Sequence, residues 1–244
     1  MKPNIFGLLL VVCLVSLYMH PVFADGEKPV HKVEFVKKRQ VFFRGNRKQK
    51  QVALTFDDGP DNYYTEHILS ILEKEKVPAT FFVTGKMARK RPDLLIKMVR
   101  QGHVIGNHSW NHGNFAKQSL AEIKREIRHT NRYIYLVTGK KPALFRPPYG
   151  VVNHKVLQTS LDQNLFIIHW NIDTRDWTGR SSTSILKTIQ QKVKGGDIIL
   201  QHSGGSRRHL DGTVEALPEI IHWLKKPHYQ LVTVDQLLNI PAYQ

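Results

Sequence analysis

Two adjacent carboxylates, Asp57-Asp58, and two imidazoles four residues apart in His108-Ser109-Trp110-Asn111-His112 are side chains of the kind that hold a catalytic divalent cation. One carboxylate with two neutral imidazoles makes three ligands and leaves positions for water or substrate. A cation held in this way lowers the pKa of its water and polarises a carbonyl oxygen. Hydrolysis by that route also needs a base for the water proton and an acid for the leaving group, and neighbouring aspartates can divide metal binding from base. Each motif has a plainer reading as well. Asp57-Asp58-Gly59-Pro60 suits a turn and N-cap before a helix near Thr65, and isolated histidines are common in a chain with 13 of them. The i, i+4 spacing of His108 and His112 predicts that one turn of helix presents both.

Other reactive side chains fall at the ends of apolar runs. The expected strands are Gln51–Asp57, Ala79–Gly85, His103–His108, Ala143–Pro147, Leu165–Asp173, Asp197–His202 and Tyr229–Val234. Helical periodicity starts near Thr65, Pro92, Ser119, Asn153, Ser181 and Thr213, mostly with a capping side chain at hand. Seven strands alternating with six helices require parallel pairing and right-handed crossovers, in a doubly wound sheet or a barrel. The carboxylates after the first strand would repel a pyrophosphate, which disfavours a nucleotide-binding sheet. In a barrel, Asp57, Asp58, His108, His112, Arg146, Asp173, Asp176 and His202 gather on the face where barrel enzymes work. Asp173 is a possible structural partner of Arg146, Trp110 and Trp177 are either core aromatics or sugar contacts, and His169 reads as a packed strand residue.

Five segments in order, Thr55-Phe56-Asp57-Asp58-Gly59-Pro60, His108-Ser109-Trp110-Asn111-His112, Arg146-Pro147-Pro148-Tyr149-Gly150, Asp173-Thr174-Arg175-Asp176-Trp177 and Leu200-Gln201-His202, resemble the motifs of the polysaccharide deacetylases (carbohydrate esterase family 4, the NodB-homology domain). The resemblance runs from about Gln51 to Leu238 and implies a distorted (β/α)7 barrel, TIM-like, in one catalytic domain over 51–239. It implies a metal-dependent N-deacetylase with Asp57 as general base and Asp58, His108 and His112 as ligands of a divalent ion, usually Zn2+ and in some members Co2+ or another ion. It further implies that Arg146 positions the base, that the Tyr149 N–H is the oxyanion donor and that Pro148, Trp177 and Leu200 bind substrate, the last two as walls of an acetyl pocket. His202 looks like the general acid, oriented by Asp176. The intact Asp57-Asp58 pair argues against those muramic acid deacetylases of the family that replace the ligand aspartate.

Residues 1–24 follow the order of a secretory signal, with Lys2 before an apolar run and Val22-Phe23-Ala24 at the expected cut; an uncleaved membrane anchor is the other reading. Cys13, the only cysteine, lies in that segment, so a metal site in the mature chain must use His, Asp and Glu. A basic arm over 25–50 carries two short strand-like patches, Val33–Val36 and Gln40–Phe43, read as a hairpin. The formal charge of +16 favours anionic partners, for an exported protein a wall polymer or membrane surface rather than nucleic acid, and no protein partner is inferred. The expected substrate is peptidoglycan N-acetylglucosamine, at the cell wall or surface. The alternatives are chitin oligosaccharides, an inactive wall-binding protein of the same fold, or a non-haem iron oxygenase, whose metal also takes two His and one carboxylate.

Overall fold

The computed structural model describes residues 40–205 and 209–244; the expected signal and the Val33–Val36 patch lie outside them. Among the described residues nine strands form one parallel sheet: β1 (Val41–Phe42), β2 (Gln51–Asp57), β3 (Thr80–Val83), β4 (Val104–Asn107), β5 (Leu144–Phe145), β6 (Phe166–Ile168), β7 (Ile172–Asp173), β8 (Asp197–His202) and β9 (Gln230–Leu231). Around it pack α1 (Tyr64–Glu75), α2 (Gly85–Lys90), α3 (Pro92–Arg100), α4 (Leu120–Thr138), α5 (His154–Asp162), α6 (Ser182–Lys192), α7 (Asp211–Lys225) and α8 (Val234–Leu238). Strand order is β1-β6-β5-β4-β3-β2-β8-β7, with β9 also on β2.

A very short piece of chain joins β7, at one edge of this sheet, to β6, the strand next to the other edge. β6 pairs with β5 and β1, whereas β7 pairs with β8 at the other end of the order. Only His169-Trp170-Asn171 separates them, and four residue steps span at most about 14 Å. The sheet must therefore curl until its ends nearly meet, which makes it a distorted barrel closed by irregular backbone. The single strand expected over Leu165–Asp173 thus breaks in the middle, since one straight strand cannot pair with both edges. The Val41–Phe42 patch is a strand, and its partner in the sheet is β6.

In β2 the alternation of side chains separates packing from chemistry. Val52, Leu54 and Phe56 join the apolar layer with Ile68, Leu69 and Leu72 of α1 and with Ile220 and Leu224 of α7. Ala53, Thr55 and Asp57 take the opposite face, and Thr55 and Asp57 both reach Arg146. Both faces are buried, as in parallel sheets covered by helices. Several helix starts follow their expected caps: Ser119 makes a capping box with Glu122, and Asn153 and Ser181 accept from Val156 N and Ser184 N. Helix α2 was not expected, because the six residues of Gly85–Lys90 are too few to establish a period.

Candidate active site

Asp57 and His202, the last residues of β2 and β8, are register partners on adjacent strands. The buried Asp57 accepts a 2.7 Å hydrogen bond at Oδ1 from Arg146 Nη1. Arg146 is fully buried at the end of β5 and also donates to Thr55 Oγ1 (2.9 Å), Ile168 O (3.1 Å) and His169 O (3.1 Å). Its guanidinium carbon stands 4.1 Å from the centre of the Phe82 ring. A charge this deep persists only when paired and hydrogen-bonded. Asp173 is not its partner, contrary to the structural pairing considered above: β7 has already left for β8, and Asp173 accepts from Arg175 N instead. His169 is a packed residue, with Phe43 stacked on its ring.

His108 and His112 do not share a helical turn. The segment after β4 is a loop whose Ser109 and His112 adopt left-handed φ of 66° and 58°, a region L-residues occupy at some cost. Hydrogen bonds hold it there. Asn107 Oδ1 accepts from Ser109 N, and Ser109 Oγ accepts from His112 N. Glu126, buried on α4, accepts from Trp110 N (3.1 Å) and Asn111 N (2.8 Å) at Oε2 and from Asn111 Nδ2 (2.9 Å) at Oε1. Trp110 packs against Tyr133, His129 and Arg89, with Gly85 so close that a Cβ there would lie 2.1 Å from the indole. Its role is to seat the loop on α4.

Asp58, at φ 72°, completes the group. Its Oδ1 lies 3.4 Å from His108 Nε2 and 3.2 Å from His112 Nε2, and one ligand atom from each of the three residues falls within 4.8 Å of the others. His108 Nδ1 stands 2.7 Å from the Arg146 carbonyl oxygen; with its proton donated there, the Nε2 lone pair points into the cluster. Asp58 Oδ1 is buried and accepts no hydrogen bond from the described residues. One carboxylate and two imidazoles facing one another at this separation form a donor set that fits a divalent metal. Burial opposes charge on Asp58, yet His108, His112 and His202 draw its pKa down to about 2. Burial likewise opposes a charged His108, but Asp57 and Asp58 raise its proton affinity overall, whereas burial and the neighbouring His108 lower that of His112.

On the other side of Asp57, His202 is gripped by Asp176. Burial disfavours the imidazolium, but the hydrogen bond and charge of Asp176, with the charges of Asp57 and Asp58, raise its pKa to about 9. Asp176 is itself fully buried and also accepts from Thr213 Oγ1 at 2.9 Å. Tyr149 lies at φ 58° in the short turn Pro148–Gly150, its ring 4.8 Å from that of His112. Pro148 and Leu200 are buried, and Trp177 is 52% exposed beside Asp176. Leu200 and Trp177 belong to the segments that carry His202 and Asp176 respectively.

The sequence model of the family described as polysaccharide deacetylase matches residues 44–168. A peptidoglycan-N-acetylglucosamine deacetylase of Bacillus cereus is 39% identical over 207 residues, covering 84% of this chain and 74% of that one. The crystal structure of the Bc1960 peptidoglycan N-acetylglucosamine deacetylase, in complex with 4-naphthalen-1-yl-N-oxidanyl-benzamide, superposes with a TM-score of 0.83 at 37% identity, covering 86% of this chain and 98% of that one. A family 4 pseudoenzyme from Bacillus anthracis, BA3943, superposes with a TM-score of 0.75 at 31% identity over 81% of this chain and 68% of that one. The chain belongs to the polysaccharide deacetylase family.

Proposed function

We propose that this protein removes the N-acetyl group from N-acetylglucosamine residues of peptidoglycan, giving acetate and a free amine. The observation that carries the reading is the convergence of Asp57, the Asp58–His108–His112 cluster and His202 at neighbouring strand ends. The similarity to peptidoglycan-N-acetylglucosamine deacetylases supports the choice of glycan.

Asp58, His108 and His112 would hold a divalent ion, with Zn2+ the expected one for a carboxylate and two imidazoles. When bound, such an ion supplies Lewis acidity to water and to the acetamide carbonyl. Asp57, aimed by the hydrogen bond from Arg146, accepts the proton of the attacking water. The Tyr149 N–H donates to the oxygen that becomes negative as the carbonyl carbon turns tetrahedral. An amine leaves poorly until protonated, and His202, charged and fixed by Asp176, delivers a proton to the nitrogen as the C–N bond breaks. Pro148, Leu200 and Trp177 are assigned to the acetyl pocket and its mouth. The signal-like residues 1–24 support export to the wall.

The pseudoenzyme relative raises the alternative of a non-catalytic wall protein. Retention of both Asp57 and His202 beside the ligand set favours catalysis. Deacetylation of N-acetylglucosamine oligomers and purified peptidoglycan, with and without chelator, tests the assignment. Acetate release by the wild type, lost on chelation and reduced about 10²–10⁴-fold in Asp57→Asn and His202→Ala, is expected. Equal release by wild type and both variants would remove Asp57 and His202 from the chemistry, absence of release from the wild type would leave the non-catalytic reading, and activity confined to chitin oligomers would reassign the substrate.

A further inference from the structure

A groove of about 530 Å³ lies away from the chemistry, between α4 and the chain leading into β5 and β6. Lys124, Arg128 and Arg132 line it from α4, and Lys141 lines it from the approach to β5. The three helical residues recur every four positions and so form one stripe about 12 Å long. Like charges at that spacing destabilise a helix, so the stripe does not serve the fold. Only Lys124 is answered by a carboxylate, Asp162 at 2.5 Å. Arg128, Arg132 and Lys141 are exposed and form no ion pair with the described residues. Four cationic side chains thus face a single acidic side chain, that of Asp162, across the groove.

The parallel sheet fixes where this groove opens. Lys141 precedes β5 and Asn164 precedes β6, whereas Asp57 and His202 are the last residues of β2 and β8. Groove and reaction site therefore occupy opposite ends of the barrel, and an occupant of one does not compete with glycan at the other.

We propose that the groove binds a phosphodiester-linked anionic polymer attached to the wall glycan, tethering the protein while the far mouth works on acetylated sugars. The occupant rests on the wall-glycan reading above. Guanidinium forks match phosphate oxygens, cations spaced along a stripe match charges repeated along a chain, and a concave groove suits a strand better than the plane of a bilayer. The net charge of +16 steers such a polymer towards the protein.

The test is co-sedimentation of the full chain with purified wall glycan carrying polyol-phosphate chains, and with the same glycan after acid has stripped them. Wild type should bind the phosphate-bearing wall, with affinity falling steeply with salt, and should bind the stripped wall at least about tenfold more weakly. Arg128→Glu/Arg132→Glu should lose about tenfold or more of that binding while deacetylating short N-acetylglucosamine oligomers within about twofold of wild type. Lys187→Glu/Lys192→Glu on α6 makes the same charge change elsewhere and should leave binding nearly intact. Equal losses in both double variants would show the overall field at work and overturn the site. So would equal binding to stripped wall, or tighter groove-dependent binding to vesicles of anionic phospholipid. The oligomer assay is read separately, so a failure of the deacetylase reading stays distinguishable from a failure of the groove.

Discussion

Asp176 grips His202 at two points: Oδ1 lies 2.8 Å from the ring Nδ1, and Oδ2 accepts the His202 backbone N–H at 2.8 Å. One carboxylate thus fixes both the strand end and the direction in which the imidazole presents its other nitrogen. The ring is held in place before any substrate arrives, and its charge is favoured well above the ordinary histidine range.

The acid role of His202 has a pH signature. With its pKa raised from 6.5 to about 9, the charged form persists through neutrality, and kcat/KM should fall only as the pH climbs through about 9. Asp176→Asn should bring that alkaline limb down by one to two units, to about 7–8. A limb that stays in place in the variant would detach Asp176 from the acid.

The same shift affects folding. A group whose pKa is higher in the folded than in the unfolded chain contributes stability that is complete below its unfolded value and disappears as the pH passes its folded value. His202 should therefore stabilise the wild type fully below pH 6.5 and cease to do so by about pH 9. Urea midpoints across that window should slope downward for wild type and lie flatter for His202→Gln.

Glu126 was invisible as a site residue in the sequence, where it sits in Lys-Arg-Glu-Ile-Arg on a charged-looking helix. Its buried carboxylate nevertheless holds the loop that carries both imidazoles. Glu126→Ala strands two backbone N–H groups, each costing about 1–3 kcal/mol if left dry. Metal affinity should drop by about 10–100-fold, as for outer partners of ligands generally. Glu126→Gln keeps one oxygen acceptor and should lie between. Metal titration with thermal unfolding separates the two effects, and an unchanged affinity in a folded alanine variant would leave Glu126 a purely structural residue.

Direct removal of a ligand should be harsher. His112→Ala should weaken Zn2+ binding by more than about 100-fold, beyond the range for outer partners, measured by competition with a chromophoric chelator. Wild-type activity abolished by chelation should return when a divalent ion is restored. Wild-type affinity in His112→Ala would exclude this residue from the ligand set.

Arg146→Met removes the buried guanidinium that donates to Asp57 and leaves three more oxygens without their donor. Breaking such a buried pair typically costs about 3–5 kcal/mol, which equilibrium denaturation reads directly. Arg146→Lys keeps the charge but not the fork, and should recover only part of the loss.

The strand ends were legible because apolar runs bounded by polar residues survive in any parallel α/β chain, and the reactive residues sat just past them. Asp57, Asp58, His108, His112, Asp176 and His202 do converge as that pattern predicted. Their local backbone was not legible. Ser109, His112 and Tyr149 adopt left-handed φ without being glycine, and nothing in the residue types marks such a position. The break at His169-Trp170-Asn171 was hidden for another reason: β6 and β7 are only three and two residues long, so one apolar stretch spans both. Asp173 reads in the sequence as a candidate partner of Arg146, and only the curl of the sheet, which takes β7 to β8, determines which residues stand near Arg146.

Arg146 reaches in two directions at once, its side chain to Asp57 and its main-chain oxygen to His108. The proposed proton acceptor and one proposed ligand therefore share a single brace, and a shift in one is transmitted to the other. Any effort to retune this centre for a different acyl group or ion has to treat those two residues as a coupled unit, with freedom remaining chiefly at the exposed rim around Trp177 and Tyr149.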